Sequence, residues 1–109
     1  MIYEMRVYTS MPGRREAVLS RFREHTMRIF PRHGIEVVGF WTPEIGSGTQ
    51  CELVYLCVYD DIAARQRAWE SFRRDPEWIA VRQETEKEGQ IVAEVDVKIL
   101  KPTDFSPIK

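Results

Sequence analysis

One segment limits the possible folds more than any other, because both of its faces are apolar. After Glu52, every residue from 53 to 59 is apolar or aromatic: Leu53-Val54-Tyr55-Leu56-Cys57-Val58-Tyr59. β-branched and aromatic residues favour extended structure, so the pattern predicts a strand over residues 51–59. Helices can cover one face of the sheet that contains this strand, but the other face also needs cover.

Three further strands are predicted by the alternation of polar and apolar side chains. They span residues 2–9, 35–43 and 90–100. Glycines at 46 and 48 indicate a hairpin turn between the second strand and the strand over 51–59.

Two helical regions separate these strands. An apolar stripe predicts a first helix over residues 14–32, with Arg21 on its polar side and Gly34 just beyond its end. A second helix is predicted over residues 61–74, and Pro76 fits the first turn of a shorter helix that follows. The order β-α-β-β-α-β predicts an α+β, ferredoxin-like fold in one domain over residues 1–109, with a four-stranded antiparallel sheet and helices on one face.

The charge balance excludes some classes of partner. Sixteen Lys and Arg face seventeen Asp and Glu, for a formal net charge of −1, which disfavours a nucleic-acid surface. No apolar run approaches the roughly 20 residues of a membrane helix, so we expect no membrane partner. No secretory signal is visible at the start.

Cys51 and Cys57 would lie roughly 20 Å apart on one strand, so we expect free thiols and a cytoplasmic location.

The sheet face opposite the helices predicts a homodimer. If uncovered, Val37, Trp41, Leu53 and Tyr55 would form an apolar patch larger than monomers usually expose. A second copy packed face to face would cover it. The alternative is that these side chains remain partly exposed in a monomer.

Five short motifs, in order along nearly the whole chain, resemble the NIPSNAP family. They are Tyr3-Glu4-Met5-Arg6-Val7-Tyr8-Thr9 with Pro12-Gly13, Val38-Gly39-Phe40-Trp41-Thr42, Leu53-Val54-Tyr55-Leu56, Asp75-Pro76-Glu77-Trp78 and Phe105-Ser106-Pro107. The resemblance implies a dimeric α+β barrel. That superfamily also contains antibiotic-biosynthesis-type monooxygenases, muconolactone isomerases and haem-degrading proteins. The resemblance implies no particular reaction.

A candidate pocket follows from the alternation. We expect the face pointing away from the helices to line the barrel interior, with Glu4, Arg6, Tyr8, Val37, Gly39, Trp41, Leu53, Tyr55 and Cys57 on it. Arg6 would hold a carboxylate, enolate or phenolate. Tyr8 or Tyr55 would donate a hydrogen bond or a proton to a developing oxyanion, and Trp41 would stack on a flat ligand.

Each of these assignments has a structural alternative. Arg6 would pair with Glu4, and the tyrosines would be core residues with satisfied hydroxyls. Cys57 is a pocket thiol or a small buried hydrophobe. His25, on the edge of the first helix's apolar stripe, is a substrate-binding residue, a haem ligand as in some relatives, or a core-edge residue.

No metal or cofactor is expected, because the two histidines are eight residues apart and no cysteine lies near either. Three functions remain. The first is a metal-free enzyme that oxygenates or isomerises a small planar acidic or phenolic metabolite, with Arg6, Tyr8 and Tyr55 as catalytic residues. The second is a non-catalytic ligand-binding module. The third is an interaction protein, which predicts a cavity below about 300 Å³.

Overall fold

A computed structural model describes all 109 residues and has the predicted order of elements. The four strands are β1 (Ile2–Ser10), β2 (Glu36–Trp41), β3 (Glu52–Tyr59) and β4 (Val92–Leu100). They form one antiparallel sheet in the order β2-β3-β1-β4. The prediction of an α+β, ferredoxin-like fold is confirmed.

Three helical segments pack on one face of the sheet. The first, called α1, covers residues 15–33 and ends at Gly34, whose φ of 76° is accessible to glycine at little cost. The second, α2 (Ile62–Arg73), is capped by the Asp61 carboxylate, which accepts from the Ala64 amide. The third is α3 (Pro76–Thr85), capped by Asp75. None of the helices combines the length and apolar character that a membrane crossing requires.

The helix α1 is irregular. After an α-helical start (Arg15–Arg21), it has a π-helical turn (Phe22–Thr26), a short α-helical turn (Met27–Ile29) and a 3₁₀ end (Phe30–His33). A π turn adds a residue to the helical repeat and changes which side chains face inward. Thr26 lies in this turn and is buried, and Arg21, which precedes the turn, is buried three residues after Val18 on the regular part of the helix. The prediction that Arg21 lies on the polar side of a regular helix is therefore wrong.

The molecule has two layers and measures only 19 Å in its thinnest direction. Aromatic side chains fill the space between sheet and helices, and Phe22, Phe30, Tyr55, Trp69 and Phe72 form its centre. The helices leave two regions of the sheet uncovered. One is the helix-side face of β4, where Val95 and Val97 are exposed.

The other uncovered region is the opposite face of the sheet, which we call the open face. Its central residues are apolar and half-buried, and they are Tyr3, Met5 and Val7 on β1 and Val54, Leu56 and Val58 on β3. No helix of this chain packs against this apolar face.

The predicted orientation of the sheet is wrong. The face with Glu4, Arg6, Tyr8, Leu53, Tyr55 and Cys57 packs against the helices and does not point away from them. Both faces of β1 and β3 carry apolar side chains, so alternation identifies two faces without saying which one the helices cover.

Strand β2 departs from simple alternation as well. A bulge between Val37 and Gly39 puts Val37 and Phe40 on the helix side, opposite Cys57 and Tyr55, respectively. Gly39 and Trp41 therefore share the open face, so the prediction that they share a face with Val37 is wrong.

Candidate functional site

A cleft opens where the helices leave β4 uncovered. It is open to solvent and has a volume of about 500 Å³. Strands β1 and β4 form its floor, and all three helices contribute to its walls. Among the residues that line it are Arg6, Tyr8, Arg21, Trp69, Trp78 and Val95.

A buried carboxylate lies behind the cleft wall, in contact with Arg6 and Trp69, which line the cleft. The side chain of Glu4 is fully buried and accepts hydrogen bonds from four donors. Its Oε2 accepts from Arg6 Nη1 at 3.0 Å and from Arg65 Nη2 at 2.6 Å. Its Oε1 accepts from the Tyr59 hydroxyl at 2.8 Å and from Trp69 Nε1 at 2.9 Å.

These donors keep Glu4 ionised. Burial by itself raises the pKa of this carboxyl. The hydrogen bonds from Arg65 and Tyr59 and the charge of Arg6 lower that pKa by more than burial raises it, so the net pKa is below the usual value. Two guanidiniums thus share one carboxylate. The group of Glu4, Arg6 and Arg65 carries one net positive charge inside the protein.

Arg6 borders the cleft at this positive group. Its Cζ lies 4.2 Å from the centroid of the Trp69 ring, which provides a cation–π contact. Its Nε is buried without a hydrogen-bond partner. Burial lowers the pKa of Arg6, but the neighbouring Tyr55, Tyr8 and Glu4 outweigh it and raise that pKa, so the charge is permanent. The predicted Arg6–Glu4 pair is therefore present, and it leaves part of the guanidinium free.

Tyr8 and Tyr55 form a hydrogen-bonded pair. The buried Tyr55 hydroxyl donates to the Tyr8 oxygen at 3.0 Å. Burial raises the pKa of Tyr55 well above its usual value, so this donor keeps its proton. Tyr8 lines the cleft, and its own O–H remains available to donate to a ligand.

Leu53 and Cys57 belong to the core and do not line the cleft. Burial raises the pKa of the Cys57 thiol to about 12, so it stays protonated and is a poor nucleophile near neutral pH. Of the two alternatives for Cys57, the structure favours the small buried hydrophobe.

Gly39 and Trp41 lie together on the open face, away from the cleft. Trp41 is 54% exposed and lies across Gly39, where a Cβ would come within 2.8 Å of the indole Cη2. The structure therefore places the predicted stacking residue on a different surface from Arg6.

The two histidines also lie apart from the cleft. His25 Nδ1 is 3.0 Å from Arg28 Nη2, and Arg28 in turn pairs with Glu77 at the surface. His33 lies between Ser71 Oγ and Asp75 Oδ2, with both contacts at 2.6 Å. It thereby connects the end of α1 with α2 and with the cap of α3, an interaction that the sequence did not predict. No cluster of three His, Cys, Asp or Glu side chains is placed to hold a metal.

Three residues of the cleft were missed by the sequence analysis. Trp69 and Trp78, which the sequence analysis did not assign to the pocket, pack in or against the core and also contribute to the cleft walls. Arg21 was assigned to the surface, but it is only 6% exposed and packs over the Trp78 ring with its Cζ 5.1 Å from the centroid. Arg21 precedes the π turn and lies three residues after the buried Val18 and one before the buried Phe22, so ordinary helical spacing places it on the apolar stripe. That spacing is the signal that could have identified it.

Comparison with known proteins supports the predicted resemblance. The family model for NIPSNAP matches residues 3–107. Protein Atu4242 from Agrobacterium tumefaciens is 27% identical, with a TM-score of 0.85 and 100% of each chain covered. The NIPSNAP family protein Atu5224 from the same organism is 23% identical, with a TM-score of 0.85, covering 99% of this chain and 98% of the other.

A more distant structure shares the fold alone. SnoaB, a cofactor-independent oxygenase from Streptomyces nogalater, is 15% identical with a TM-score of 0.62, covering 97% of this chain and 96% of the other. Among curated proteins, none matches the chain.

Proposed function

The chain belongs to the NIPSNAP family, and on that premise we propose that it binds a small planar acidic or phenolic metabolite in the cleft. The observation that carries the proposal is the Arg6 guanidinium, which lines the cleft and shares the single carboxylate of Glu4, behind the cleft wall, with Arg65. A buried positive charge without a full counter-charge is costly, and a bound anion would offset that cost.

The shape and chemistry of the walls support a flat ligand. Trp69 and Trp78 offer ring faces and edges, and Val95 adds an aliphatic surface from β4. Tyr8 can donate to a second oxygen of the ligand while Tyr55 donates to Tyr8. Together with Arg6, this donor pair would stabilise a carboxylate, an enolate or a phenolate.

Catalysis is the stronger form of the proposal. An enolate or phenolate held by Arg6 is electron-rich enough to react with dioxygen, and Tyr8 is placed to move a proton during an isomerisation. SnoaB shows that this fold supports oxygenation without a cofactor, although its likeness to this chain extends only to the fold. A ligand released unchanged would favour the non-catalytic binding module instead.

The proposed functional unit is a cytoplasmic homodimer. The apolar open face supports a second copy packed against it. The free Cys51 and Cys57 thiols support a reducing compartment.

Binding can be tested with benzoate and phenol as simple probes. We expect the variants Arg6→Met and Tyr8→Phe to weaken binding, Arg6→Met by about tenfold or more toward benzoate, because a charge-assisted hydrogen bond is lost. Isothermal titration calorimetry measures the affinities. Mass spectrometry of the recovered probe shows whether it was changed.

Matched controls separate the cleft from general effects. Tyr3→Phe removes a hydroxyl from the same strand on the open face, and Arg67→Met removes an exposed guanidinium from α2. Both should bind like the parent protein. Equal affinities of Arg6→Met and Arg67→Met for benzoate would contradict the proposal.

A further inference from the structure

A second arginine pair repeats the arrangement of Arg6 and Arg65 around Glu4. Arg21 Nη1 donates to Glu86 Oε2 at 2.9 Å, and Arg82 Nε donates to the same oxygen at 3.2 Å. Two guanidiniums again share one carboxylate, so this group also carries one net positive charge. All three of its residues line the same cleft as Arg6.

Arg21 is the unusual member of this second group. It is 94% buried, its Nε has no hydrogen-bond partner, and its Nη2 makes no hydrogen bond within the protein. Nε is enclosed by protein, but Nη2 is not, so Nη2 is the N–H group that can donate a hydrogen bond to a ligand in the cleft. The Arg21 Cζ lies 5.1 Å from the centroid of the Trp78 ring, so the ring packs against the guanidinium in a cation–π contact.

The other charged residues of the cleft do not alter this balance. Arg73 and Glu94 also line it, both are exposed, and neither forms an ion pair. Their formal charges cancel. The cleft therefore has two separate positive groups, one at Arg6 and one at Arg21.

We propose that the cleft selects planar ligands with two acidic groups, such as aromatic dicarboxylates, with one group bound by Arg6 and the second bound by Arg21. This inference rests on the proposed function and names the class of ligand for that site. A monoacid would satisfy one of the two arginines and leave the other without an acceptor.

The test compares benzoate with its 1,2-, 1,3- and 1,4-dicarboxylate counterparts by calorimetry at constant ionic strength. At least one dicarboxylate should bind about tenfold more tightly than benzoate, the gain expected from one added charge-assisted contact. Arg21→Met should remove this gain, so that the dicarboxylate binds no more tightly than benzoate to the variant. Arg23→Met, an exposed arginine on the same helix, should preserve the gain.

Arg21 also connects α1 to α3, so Arg21→Met could reduce folding. Arg21→Lys keeps the charge and loses the planar fork, and it should retain part of the gain.

If every dicarboxylate binds no better than benzoate while Arg6→Met still weakens benzoate binding, the diacid inference fails and the proposed function stands. If Arg21→Met weakens all the ligands equally, Arg21 is structural and the inference fails. If no acid binds, both proposals fail.

Discussion

Glu4 determines how the residues around the cleft are held. Its two oxygens accept from Arg6, Arg65, Tyr59 and Trp69, which come from β1, β3 and α2. A neutral side chain at this position would leave two guanidiniums facing one another inside the protein. Breaking a buried pair by removing one partner is far more costly than losing a surface pair.

Glu4→Gln should therefore lower the free energy of unfolding by about 3 kcal/mol at pH 7. The folded pKa of Glu4 lies below the value of 4.5 taken for the unfolded chain, so its stabilisation is fully present above that value. The stabilisation is lost as the pH falls through the lower folded pKa. Urea denaturation at pH 7, 5, 4 and 3 should show the parent and Glu4→Gln proteins converging in acid.

The exposed Glu16 provides the control, since its carboxylate is 77% exposed and only 3.4 Å from Arg23. Glu16→Gln should change stability by less than about 0.5 kcal/mol. A difference between the parent and Glu4→Gln proteins that stays constant from pH 7 to pH 3 would argue against a charged Glu4.

The pairing of Glu4 with Arg6 could be predicted from the sequence, because residues two apart on a strand share a face. Whether that face packs against the helices or points away from them could not be predicted. It depends on Trp69, which supplies an N–H to Glu4 from a helix more than sixty residues away in the sequence. Long-range contacts of this kind leave no local periodicity in the chain.

At the scale of single elements, regular geometry was predictable and local irregularity was not. Strand β1 was expected over residues 2–9 and spans Ile2–Ser10, and α2 was expected over 61–74 and spans Ile62–Arg73. The bulge in β2 and the π turn in α1 each insert one residue into a regular repeat. The bulge moved Phe40 inward, whereas Arg21 precedes the π turn and faces inward because it lies three residues after Val18 on a regular helix.

The end of α1 offers a separate test at this scale. His33 contacts Ser71 and Asp75, and its ring is largely buried. His33→Ala should lower the free energy of unfolding by about 2 kcal/mol, because it removes two hydrogen bonds, to Ser71 and to Asp75, at roughly 1 kcal/mol each. His25→Ala, which removes a contact only to Arg28, should have an effect below about 0.5 kcal/mol. Equal losses in the two variants by urea denaturation would show that the His33 contacts add no stability.

At the scale of the whole molecule, the two-layer architecture explains both uncovered surfaces. Helices α1, α2 and α3 cover one face of a sheet that is wider than they are. The cleft forms where they stop short of β4, and the open face has no layer on it. The fold class followed from the order of the elements. The sequence does not show which side of the sheet the helices occupy, and the position of both surfaces depends on it.

The open face predicts self-association through its centre. Leu56 lies there, opposite Met5 on β1 and Gly39 on β2, and it points away from the core. Leu56→Arg should leave the fold intact, since a half-exposed side chain can carry a charge into water, but would bury that charge in a face-to-face dimer. Analytical ultracentrifugation at micromolar concentration should show the parent protein at twice the 12.9 kDa chain mass and Leu56→Arg at the monomer mass.

Ile62→Arg places the same charge on an exposed apolar position of α2 and should remain dimeric. A parent protein that sediments as a monomer, or a dimer that Leu56→Arg does not dissociate, would rule out association through this face.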